Sequence, residues 1–206
     1  MRRAWLLAAV LAAAVATPAL GQSPARPGGT LRAVFSADPP TLDPRDATDL
    51  TSSGVVRQIF DALLELDEHL EPVPALARSW TVGADQRVYT FALRPGVKFH
   101  NGREMTAADV KYSFERAARG KRPWVFEKIT GARDFIKGTA PEITGVRVVD
   151  DLTVEVRLDK PFAPFLHLIA YDAASVVPRE EADKPAFASR PVGTGAFRFV
   201  SWRRDD

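Results

Sequence analysis

The chain has 206 residues, with 28 Lys+Arg against 26 Asp+Glu, a formal net charge of +2, 46% apolar and 26% charged residues. That balance is ordinary for a globular protein and excludes global disorder or a coiled coil. Cysteine is absent, which excludes disulfides, thiolate metal sites, cysteine nucleophiles and an N-terminal lipidated cysteine.

Arg2 and Arg3 precede an uncharged Ala/Leu-rich run from Trp5 to Val15, and small residues stand at Ala19 and Gly21. These three parts predict a secretory signal peptide over 1–21, cut after Gly21. The run is too short for a membrane span, and the arginine pair raises a twin-arginine route. Removing 1–21 takes away two arginines and no acid, leaving 26 basic against 26 acidic residues. The basicity lies in the leader, so no nucleic-acid partner is expected. Arg119, Lys121 and Arg122 read as a solvated helix end.

Residues 22–29 form a Ser/Pro/Gly linker, and Thr30–Ser36 (TLRAVFS) reads as a first strand. Asp38–Pro44 (DPPTLDP) carries three prolines and is a rigid loop, since proline breaks both ladders and helices. Thr51–Leu64 predicts a helix, capped by Thr51 or Ser52, with Val55, Val56, Ile59, Phe60, Leu63 and Leu64 on one stripe. Residues 71–80 read as a proline-stiffened connection. Val88–Arg94 alternates as a strand. Lys98–Arg103 is a turn, with Asn101-Gly102 expected to supply positive φ angles. Thr106, with Asp109 three residues on, predicts a capped helix that buries Val110, Phe114 and Ala117. Thr144–Leu158 is the clearest hairpin, turning at Asp150-Asp151. A short helix is expected within 162–170, a strand at 173–177, and a glycine turn leading into another strand over 192–202.

No enzyme signature stands out. His69, His100 and His167 lie in no metal-ligand spacing, and no GxSxG elbow is present. Asp150 and Asp151 read as turn residues rather than paired acids. Gly193-Thr194-Gly195 lacks the lysine and spacing of a phosphate loop. No catalytic residue, metal or cofactor is expected. Trp124 and Phe126 either line a cleft or belong to the core.

The order of blocks carries more. GGTLRAVFSADPPTLDP (28–44), FDALLELDEHLEPVPALARSWTVGADQRVYTFALRPGVKFHNGREMTAADVKYSFER (60–116) and RPVGTGAFRFVSW (190–202) resemble, in order, segments of the extracytoplasmic solute-binding proteins of peptide-type ABC transporters, solute-binding protein family 5. Ala196 stands where proline is commoner in the family, and a lipidation cysteine is missing, which implies a free periplasmic protein.

The resemblance implies an α/β, periplasmic-binding-protein type II-like fold. Family members are longer, with two lobes closing over a ligand, so the chain is expected to be an N-terminal fragment lacking the second lobe. The implied organisation is a signal peptide (1–21), a linker (22–29), the first part of lobe one (30–50), an inserted α/β subdomain (51–188) and the start of the return to lobe one (189–206). The implied role is the periplasmic substrate-binding component of an ABC importer for peptides or peptide-like solutes. It would be a monomer that binds a small-molecule or peptide ligand and docks on permease subunits in the inner membrane. The alternative is an envelope interaction or chaperone-like protein on the same scaffold.

By the same resemblance the loop after the first strand faces the cleft, with Ser36, Ala37, Asp38, Pro39 and Thr41 as candidate ligand-binding residues. Asp38 either meets a positive ligand group or shapes the turn before Pro39. Gly193, Thr194 and Gly195 either approach the ligand or form a tight turn, and Trp124 and Phe126 complete the candidates. Dipeptide, oligopeptide, metal-chelate, sugar and opine receptors share these blocks, so the ligand stays open.

Overall fold

Asp49, rather than Thr51 or Ser52, starts the first helix. Its Oδ1 accepts the Ser52 N–H at 2.8 Å, and α1 runs Leu50–Ile59. That hydrogen bond holds the Asp49 carboxyl below its ordinary pKa and satisfies a donor left orphaned by the first turn. The computed structural model describes residues 28–204, so the expected signal peptide and residues 22–27 of the linker lie outside the described residues. The chain divides into two units, 1–34 and 35–206. Of the first, 28–34 are described; they form no regular element, and Leu31 and Val34 are exposed. The strand expected over Thr30–Ser36 is therefore absent: no residue of it joins a ladder.

In the second unit α1 stops five residues short of the expected Leu64. Phe60 is already extended, at φ −127° and ψ 148°. Leu64–Leu66 is strand β1, paired antiparallel with β2, Pro72–Pro74. A short apolar run does not distinguish helix from strand, and here Leu63 and Leu64 are buried in the main core. The connection expected at 71–80 thus contains β2 and opens β3, Ala77–Val82.

β4 (Val88–Leu93) is the strand its alternation predicts, with Tyr89, Phe91 and Leu93 buried. β5 (Val146–Asp150) and β6 (Thr153–Arg157) form the predicted hairpin. Asp150 pairs with Thr153, so the turn is Asp151-Leu152, one residue later than expected. The Asp150 side chain accepts the Leu152 N–H. The four strands form one antiparallel sheet in the order β3-β4-β6-β5.

α2 (Ala107–Ala118) buries Val110, Phe114 and Ala117 as its periodicity predicts, and lies against β5 and β6. The Asp109 carboxylate accepts the Thr106 N–H at 2.9 Å and its hydroxyl at 3.2 Å. In the preceding turn only Gly102 has positive φ (+93°), not Asn101, whose side chain instead accepts the Arg103 N–H.

Among the described residues the remaining helices are short: α3 (Ala132–Ile136), α4 (Phe165–Ile169) and α5 (Arg179–Ala182), with 3-10 turns at Pro123–Val125 and Asp172–Ala174. α4 is the helix expected within 162–170. The strand expected at 173–177 is absent: Val176 N–H donates to Asp61 O and Val177 N–H to Ser113 Oγ, both at 2.9 Å. The strand expected within 192–202 is absent as well. Gly195 and Phe197 donate to Ile59 O and Gln58 O, at 2.8 and 2.9 Å, and so cap carbonyls that the end of α1 leaves open.

Two cores result. The larger joins the sheet, α2 and α4 through Phe91, Phe114, Phe126 and Phe165. The smaller gathers Ala47, Val56, Ile59, Phe60, Val177, Ala182 and Phe187, with the Phe60 and Phe187 rings edge to face at 5.8 Å.

Candidate ligand-binding site

The second half of the proline loop is fixed from within. Thr41 Oγ1 accepts the Asp43 N–H at 3.1 Å, and Asp43 Oδ1 accepts the Arg45 N–H at 3.0 Å. Leu42 N–H donates to Ala188 O at 2.9 Å. Such Asx-type bonds make a short polar loop rigid. The Asp43 carboxylate also takes two hydrogen bonds from Arg116 of α2.

The first half of the loop forms a wall. Asp38, Pro39 and Leu42, with Val55 and Ile59 of α1 and Phe199, Ser201 and Trp202, line a cavity of about 220 Å³. Ser36 and Ala37 are exposed and stand outside this lining. The Thr41 hydroxyl is engaged by the loop itself.

The second region hangs on Arg122. Its guanidinium grips Asp172 through Nη1 and Nη2, at 2.8 and 2.9 Å, and Nη2 reaches Pro44 O at 3.5 Å. Lys121 N–H donates to Arg45 O. Arg122 is thus buried in an ion pair, not the solvated helix end expected. Burial of both partners lets one pair hold three segments: the proline loop, the stretch after α2 and the Asp172 turn. Arg122 Nε is buried without a partner, a cost of about 1–3 kcal/mol that the paired atoms offset.

Next to this junction Trp124 and Tyr171 are 45% and 38% exposed and meet edge to face at 5.9 Å. Two aromatic faces open to solvent beside a buried ion pair form a platform for an apolar or planar group. Phe126, by contrast, is fully buried and tilts against Phe114 at 5.2 Å. It is core, two residues along a 3-10 turn from Trp124, and offers no surface to a ligand.

Gly193, Thr194 and Gly195 lie against the end of α1. A Cβ at Gly193 would stand 2.0 Å from Ile59 O, and one at Gly195 2.6 Å from Ile59 C. Thr194 Oγ1 donates to Asp61 Oδ2 at 2.8 Å. His100 Nε2 lies 2.8 Å from Gly195 O; a carbonyl only accepts, so Nε2 carries the proton. That leaves Nδ1 to accept the Gly193 N–H, at 3.4 Å. His100, Asp172 and Tyr171 escape a sequence reading because their partners lie 47 to 95 residues away.

The mixed α/β fold matches solved substrate-binding proteins. It superposes on OppA of Listeria monocytogenes, bound to peptide, with TM-score 0.77 and 30% identity, over 82% of this chain and 35% of that one. The unliganded open form of MppA, a periplasmic murein tripeptide binding protein, gives TM-score 0.76 and 31% identity over 82% and 34% of the two chains. The class defined is a type II substrate-binding protein. Residues 71–206 match the bacterial extracellular solute-binding proteins, family 5, and the chain belongs to that family, as its three sequence blocks imply. It is 34% identical to the glutathione-binding protein GsiB of Pectobacterium atrosepticum, over all of this chain and 38% of that protein. It is 38% identical to the dipeptide-binding protein of Escherichia coli, over 66% of this chain and 28% of that protein. The chain spans about a third of the length of these relatives.

Proposed function

We propose that the chain supplies one side of the ligand cleft in the periplasmic receptor of an ABC importer for peptides or peptide-like solutes. One observation carries this reading: a single buried pair, Arg122–Asp172, ties the proline loop to the exposed Trp124–Tyr171 platform. Exposed apolar surface held on rigid supports is what a preorganised binding face requires. The relatives named for glutathione and dipeptides support a short peptide-like solute.

In this reading residues 30–50 and 189–206 belong to lobe one, 51–188 form its inserted subdomain, and 1–21 are a leader that directs export. Asp38, Pro39, Trp124 and Tyr171 face the ligand. Thr41, Thr194 and the two glycines hold the frame. A second lobe closes over the ligand, and closure shifts the population toward a form that docks on the permease. The receptor acts as a monomer and binds its ligand without turnover.

Titration calorimetry of the full-length protein with dipeptides, tripeptides and glutathione tests this. Saturable binding, weakened about tenfold or more by Trp124→Ala at an unchanged melting temperature, is the expected result. Binding unaffected by Trp124→Ala would remove the platform from the cleft. No binding of any peptide would favour an envelope interaction protein instead.

A further inference from the structure

Lys128, Arg133 and Lys160 line one cavity of about 380 Å³, whose other walls are Asp159, Pro161 and Phe162. It shares no residue with the candidate ligand-binding site. The backbone sets its width. An isolated antiparallel bridge joins Ile129 to Leu158, and Asp159 N–H donates to Lys128 O at 3.0 Å. Lys128 is thereby fixed beside Asp159 and Lys160. Arg133 enters from the first turn of α3, which follows Gly131 at φ +79°. Lys128 Nζ lies 5.5 Å from the centre of the Phe162 ring, which removes water from one side of the charge.

These cations differ from those of another basic hollow, near Arg45, Arg116, Arg119 and Arg179. There Arg45 pairs with Asp46, Arg116 with Asp43 and Arg179 with Asp183, and Arg119 stacks on Phe135. Among the described residues, Lys128, Arg133 and Lys160 form no ion pair with any carboxylate. Three positive charges face one Asp159, so the cavity keeps a formal charge of about +2, with the like-charge repulsion only partly offset.

We propose that this cavity binds a phosphate-type anion. Such a group offers several acceptor oxygens, matches the forked donors of Arg133, and accepts the point charges of two lysines. Asp159 in the wall opposes it and sets a limit on its affinity. The same chemistry is presented by free phosphate and by an anionic phospholipid headgroup, and the experiment separates the two.

The full-length protein is titrated with inorganic phosphate and pyrophosphate by calorimetry. In parallel it is floated with phosphatidylcholine vesicles, with and without about one third phosphatidylglycerol. The comparison proteins are Lys128→Gln/Arg133→Gln/Lys160→Gln and Asp159→Asn, each checked for an unchanged melting temperature. Saturable binding of either probe is expected, weakened at least about tenfold in the triple variant and strengthened several-fold in Asp159→Asn. Binding of phosphate in solution without flotation assigns the free anion. Flotation that phosphatidylglycerol confers assigns the headgroup. Absence of both, or equal binding by the triple variant, overturns the proposal.

Discussion

Asp43 and Arg116 meet through two hydrogen bonds, of 2.8 and 2.6 Å, across 73 residues of sequence, with side chains only 6% and 12% exposed. Burial is the largest single influence and works against the Arg116 charge, but the Asp43 hydrogen bonds, together with the coulombic attraction of Asp43 and smaller contributions from Tyr112 and Asp46, hold the guanidinium pKa above its ordinary value. Asp43→Asn leaves that charge buried and unmatched. Such a loss costs about 3–5 kcal/mol. Asp46→Asn, which breaks the more exposed pair with Arg45, costs at most about 1 kcal/mol. Urea unfolding of both variants checks the difference, and equal midpoints would show that the pair does not anchor the proline loop.

Trp124 and Phe126 separate surface from core within three residues. Phe126→Ala opens a cavity among fully buried rings and costs about 3–5 kcal/mol. Trp124→Ala removes a half-exposed ring and costs under about 1 kcal/mol. Thermal melts rank the two. A Trp124→Ala variant as unstable as Phe126→Ala would make the platform structural.

Gly193→Ala forces a methyl group to 2.0 Å from Ile59 O, and backbone must move to relieve it. Overpacking of this kind costs about 1–3 kcal/mol or more. Hydrogen exchange should show the Gly195 and Phe197 amides losing protection first, because they bond to the carbonyls of Ile59 and Gln58. Unchanged protection at both amides would contradict the close approach.

The Arg103 hydrogen bond pulls the Glu180 carboxyl down to about 2, from 4.5. A carboxyl with a lowered native pKa adds stability above its unfolded pKa and loses it as pH falls through the native one. This contribution is therefore present above about pH 4.5 and gone by about pH 2. Glu180 is 44% exposed, so salt weakens the effect. Stability measured against pH should fall less steeply between those limits in Glu180→Gln than in the parent. Parallel curves would deny the link.

How much of this was legible follows from where the information lies. α2, β4 and the β5–β6 hairpin announce themselves, because Thr106–Asp109 and the alternation around Phe91 and Val154 are local. The end of α1 does not: Phe60 to Leu64 fits either period, and pairing with Pro72–Pro74 decides it. The stretch from Val192 to Trp202 has strand composition, yet its donors are taken by Ile59 and Gln58, over 130 residues earlier. The candidate site divides the same way. Asp38 and Pro39 stand out by their loop, whereas the Trp124–Tyr171 contact and the Arg122–Asp172 pair join segments about 50 residues apart. Arg122 looks solvated until Asp172 is seen.

The prolines of β2 have a consequence for how copies of this protein treat one another. Asp67 N–H donates to Glu71 O, and Ala75 N–H to Leu63 O, so the odd positions of this ribbon turn toward β1 and Pro72 and Pro74 turn outward. An extended chain from another molecule laid along that outer side meets carbonyls but no N–H at 72 or 74. The ribbon is narrow, three residues per strand, and its β2 margin cannot template a further strand. Two side rings therefore act as a built-in stop against chain-to-chain growth, at a place where a Val or Thr would have invited it.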